Sequence, residues 1–125
     1  MKPVTRLLTL LLFVASAQSP FLYADAGVAA MARIVLSLQH FPSDADKQAL
    51  AEITAGESSD SVKVVADAIA NISHSVGASE KAALEVIAAD PEESANLRDL
   101  ALIVVGINHM PSAEAKVALG ALAGQ

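Results

Sequence analysis

The three histidines of this chain fall at His40, His74 and His109, 34 and 35 residues apart, and they mark an internal repeat. Seven positions after each stands a lysine, Lys47, Lys81 and Lys116, and ten positions after each a leucine, Leu50, Leu84 and Leu119. Ile53, Ile87 and Leu122 follow in register. Upstream the match runs through Val28, Val62 and Leu97, then Met31, Val65 and Leu100, then Val35, Ile69 and Val104, then Leu38, Ile72 and Ile107. A unit this short cannot bury its apolar side chains alone, so the copies must pack against one another to share one core.

Offsets of three, four and three between the upstream columns put them on one face of an α-helix at ~3.6 residues per turn. Ala32, Ala66 and Ala101 run beside that stripe, and small residues there let a neighbouring helix come close. Pro42-Ser43 and Pro111-Ser112 read as helix starts: the serine hydroxyl accepts an unsatisfied amide, and Asp44, Asp46 or Glu114 suits the positive end of the dipole. Asp90-Pro91-Glu92-Glu93 reads as another start, with Asp90 as N-cap and Glu93 closing a capping box. The helices are expected at 26–40, 43–55, 59–74, 78–89, 91–109 and 112–123. Val62 to Ile72 is rich in β-branched residues, but its apolar positions keep helical spacing and are interleaved with alanine. The fold class is therefore all-α: three tandem helix-turn-helix units of about six helices, stacked as an α-solenoid or closed as a compact six-helix bundle. In period and architecture the units resemble tetratricopeptide-like solenoids. That pattern calls for Trp, Gly-Tyr and Phe at set places, whereas these units contain no Trp and no Tyr, and no family is assigned.

Residues 1–24 read as a secretory signal peptide. Lys2 and Arg6 form a positive start, Leu7 to Ala15 is apolar apart from Thr9, and Pro20 precedes the small-x-small segment Ala24-Asp25-Ala26. Cleavage is expected after Ala24, with Ala17 and Ala26 as rival sites, leaving one domain at 25–125 with units of about 25–56, 57–90 and 91–125. The expected location is the bacterial periplasm or the extracellular space, and no segment has the ~20 apolar residues of a permanent membrane span. Cleavage removes two of the eight basic residues and none of the fourteen acidic ones, so the mature chain carries a formal charge of −8. An acidic surface repels phosphate backbones, which argues against a nucleic-acid partner and in favour of a basic protein or peptide. With no cysteine there is no disulfide, thiolate ligand or thiol nucleophile. Phe41 is the one aromatic residue after position 24, too few for a stacking platform.

The histidines are the residues with chemical potential. In an open stack, equivalent positions lie at least ~8–10 Å apart, too far to share an ion whose ligands sit ~2.0–2.1 Å from it. The expected role there is structural, each imidazole meeting the last carbonyls of its own helix. Closure of the units into a pseudo-threefold ring would instead bring His40, His74 and His109 to one axis, as the metal ligands of a metal- or haem-binding carrier. The lysines are expected to pair with acids or to cover apolar surface with their stems. Asp44 and Asp46, like Glu92 and Glu93, are accounted for by helix starts, and no phosphate loop, nucleophile elbow or His-Glu-x-x-His run is present. No motif calls for a cofactor or marks an enzyme. From architecture, the expected function is a non-catalytic interaction module, with the histidine carrier as its alternative.

Overall fold

The structure, a computed structural model, describes residues 19–124. Residues 1–18, most of the expected leader, lie outside the described residues. The described chain is all helical: α1 Ser19–Leu36, α2 Asp44–Ala55, α3 Asp60–Ala70, α4 Ala78–Ala89, α5 Ala95–Val105 and α6 Ala113–Leu122. None of these helices is long and apolar enough to cross a membrane.

The apolar columns are the core. Val28, Val62 and Leu97, Met31, Val65 and Leu100, and Val35, Ile69 and Val104 are all buried, as are Leu50, Leu84 and Leu119 on the second helices. Ala32, Ala66 and Ala101 are wholly inaccessible, which fits three first helices packed side by side. Indeed α1, α3 and α5 touch pairwise around a central axis. Each second helix then packs mainly on the first helix of the next unit: α2 on α3, α4 on α5, and α6 back on α1. That last contact closes the ring. The Arg33 guanidinium of α1 clasps it by donating to the Ala123 carbonyl at the end of α6, 3.0 Å away. Thr54 donates to Asp67 across the seam between the first two units, and the Ser61 hydroxyl to Glu93 across the next.

The helix starts follow the repeat. Ser43 and Ser112 cap α2 and α6, Ser43 with a full capping box to Asp46. Gly77 holds the same position before α4 and offers no side-chain cap. Ser59 and Ser94 share a position and accept from Val62 and Leu97. The expectation that Asp90 starts a helix is corrected here. Asp90 ends α4, its carboxylate accepts from the Glu92 amide at 2.9 Å, and its carbonyl accepts from Glu93. The Asp-Pro-Glu-Glu run is thus a turn held by an aspartate side chain, and α5 begins after Ser94.

The first helices also stop short of the histidines, at Leu36, Ala70 and Val105. Ser37, Asn71 and Gly106 follow them, residues that leave a helix readily. Leu38, Ile72 and Ile107 still reach the core, because their amides bond three residues back to Val35, Ile69 and Val104 at 3.1–3.2 Å. The tight turn extends the apolar stripe beyond the helix itself.

Candidate metal centre

Ring closure puts the three connections between first and second helices at one end of the bundle. Each histidine there has a positive φ, 67° for His40, 69° for His74 and 68° for His109, and no other described non-glycine residue does. An L-residue pays roughly 1–2 kcal/mol for this left-handed conformation. The conformation is held by a closed ring of backbone hydrogen bonds. The His40 amide donates to the His109 carbonyl, the His109 amide to His74, and the His74 amide to His40, each at 2.6 Å. Bonds of this type return roughly 0.5–1.5 kcal/mol each, enough to offset much of the strain. Gln39 and Phe41, Ser73 and Ser75, and Asn108 and Met110 form an isolated antiparallel bridge around each histidine.

On the bundle side this ring is backed by buried Leu38, Ile72 and Ile107 and by Pro42, Val76 and Pro111, two residues after each histidine. On the outer side all three histidines are exposed. Their imidazoles meet like blades of a propeller, with ring centroids 5.2, 5.2 and 4.9 Å apart and planes crossing at 72°, 79° and 68°. The Nδ1 atom of His109 lies 3.2 Å from Nδ1 of His40 and 3.1 Å from Nδ1 of His74. One ring nitrogen from each histidine falls within 4.8 Å of the others. The rings do not cap their own helices, as an open stack would require, because those helices have already ended.

This arrangement has a definite electronic consequence. An imidazole nitrogen has one in-plane position, holding either a proton or a lone pair. His109 Nδ1 therefore makes one good hydrogen bond, yet it faces two other Nδ1 atoms at that range. A single cation shared by the lone pairs satisfies both contacts together. Two nitrogens ~2.0–2.1 Å from a tetrahedral zinc ion lie about 3.3 Å apart, close to the separations seen here.

Among the other repeat positions singled out in the sequence, Leu50, Leu84 and Leu119 are wholly buried, whereas Lys47, Lys81 and Lys116 are exposed in the first turns of α2, α4 and α6. The lysines are not part of the cluster, and among the described residues no carboxylate joins it. No protein-family model, curated protein or solved structure matches the chain.

Proposed function

We propose that this chain is a metal-binding protein whose three units jointly hold one transition-metal ion through His40, His74 and His109. The observation that supports this reading is the convergence of all three Nδ1-bearing rings on the pseudo-threefold axis. Glycine would adopt φ near +68° without strain, so a backbone ring alone gives no reason for histidine in every unit. Imidazole suits zinc, copper, nickel and iron. A three-bladed cluster, however, presents its donors on one side of the ion, as a tetrahedral centre needs and a square-planar one does not. This favours zinc. Haem iron offers its axial positions on opposite faces of the porphyrin, so three converged imidazoles fit a bare ion better.

Partner binding, the reading drawn from an open stack, would have to use the outer grooves, because α6 closes on α1. The test is unfolding with and without zinc. At 100 times its dissociation constant, one bound ion should stabilise the fold by about 2.7 kcal/mol. His40→Gln, His74→Gln and His109→Gln should each remove most of that gain. Stabilisation that survives any one of them, or none in the parent protein, refutes the shared centre.

A further inference from the structure

The fourth position of such an ion rests on the reading just given, and three features of the site bear on it. Among the described residues, the group of His, Cys, Asp and Glu side chains in ligand range consists of the three histidines alone. The inner side is closed by the backbone ring and by Leu38, Ile72 and Ile107, none of which carries a side-chain donor. The outer side is open: the histidines are exposed, and so are Gln39, Ser73 and Asn108 just before them. Structural zinc sites are completed by four protein ligands, whereas three protein ligands leave a place for water or an incoming group.

We propose that the histidine triad leaves its metal one outward coordination position, filled by exchangeable water, and so acts as a receptor for small monodentate anions. A dipositive ion held by three neutral imidazoles keeps its full charge, which attracts an anion to replace the water. The exchange is a ligand substitution, with no bond of the protein made or broken. Met110, 43% exposed and next to His109 in sequence, carries a thioether and is the rival sulfur donor.

Cobalt(II) is the probe, since its visible absorption reports the number and kind of its ligands. Absorption should develop with one cobalt per chain and shift saturably on titration with sodium azide, equally in the parent and in Met110→Leu. A cobalt spectrum that azide does not move overturns the proposal. Recovery of the azide response in Met110→Leu would assign the fourth place to the thioether, and a dimer on sedimentation would assign it to a second copy. Failure of the underlying metal reading looks different: cobalt gives no ligand-field spectrum, or His74→Gln leaves it unchanged.

Discussion

The left-handed histidines make a prediction whose sign runs against the usual order of residues. Replacing His74 by Ala or by Gly removes the same imidazole and the same ring contacts, so the pair isolates the backbone. At φ 69° alanine keeps the strain of roughly 1–2 kcal/mol that glycine escapes, while glycine loses roughly 0.4–1 kcal/mol through the greater freedom of its unfolded chain. The difference leaves His74→Gly more stable than His74→Ala by about 0.5–1 kcal/mol. The same gap should appear at His40 and His109, whose φ values lie within 2° of it. At exposed Ala82, inside α4, the order should reverse, with Ala82→Gly costing about 1 kcal/mol. Urea unfolding in the presence of a chelator measures these differences free of metal. An alanine variant as stable as its glycine counterpart at position 74 would refute the strained backbone ring.

Ile69→Ala should cost about 2–5 kcal/mol in the same assay, since Ile69 is fully buried in the middle unit and truncation leaves a cavity. Gly77→Ser should stabilise by about 0.5–1 kcal/mol, because φ −68° accepts serine, a hydroxyl would cap α4, and the flexible Glu80 side chain can move aside. Intact-mass measurement on chain recovered from its native host should find Asp25 at the N-terminus. Cleavage there trims the start of α1 but spares Gly27 and Val28, both buried, and leaves Asp25, which holds the repeat position of the caps Ser59 and Ser94, at the new end of that helix. A full-length chain would contradict export.

The register of the units and their core were readable because helical burial repeats every three or four residues, and Val62, Val65 and Ile69 obey that spacing in plain view. The helix ends were harder. Leu38, Ile72 and Ile107 continue the stripe through a turn of different geometry, so periodicity carried the expected helices onto the histidines. The stop signal was present as the column Ser37, Asn71 and Gly106, three different residues alike in leaving a helix. Ring closure left a fainter trace, since stacked and closed repeats share the same local pattern. An open array needs a polar outer face on its last unit. Here Leu119 and Leu122 keep the apolar positions of Leu84 and Ile87, and Leu119 is fully buried. The site became visible only with closure, for no spacing in one unit places a side chain against the other two.

X-ray absorption at the zinc edge of the loaded protein tests the central claim most directly. One zinc per chain, with three imidazole nitrogens at about 2.0–2.1 Å and one water oxygen completing a tetrahedron, is the predicted result. A shell with a single imidazole, or more than one zinc per chain, would mean that the histidines act separately and that the shared centre does not form.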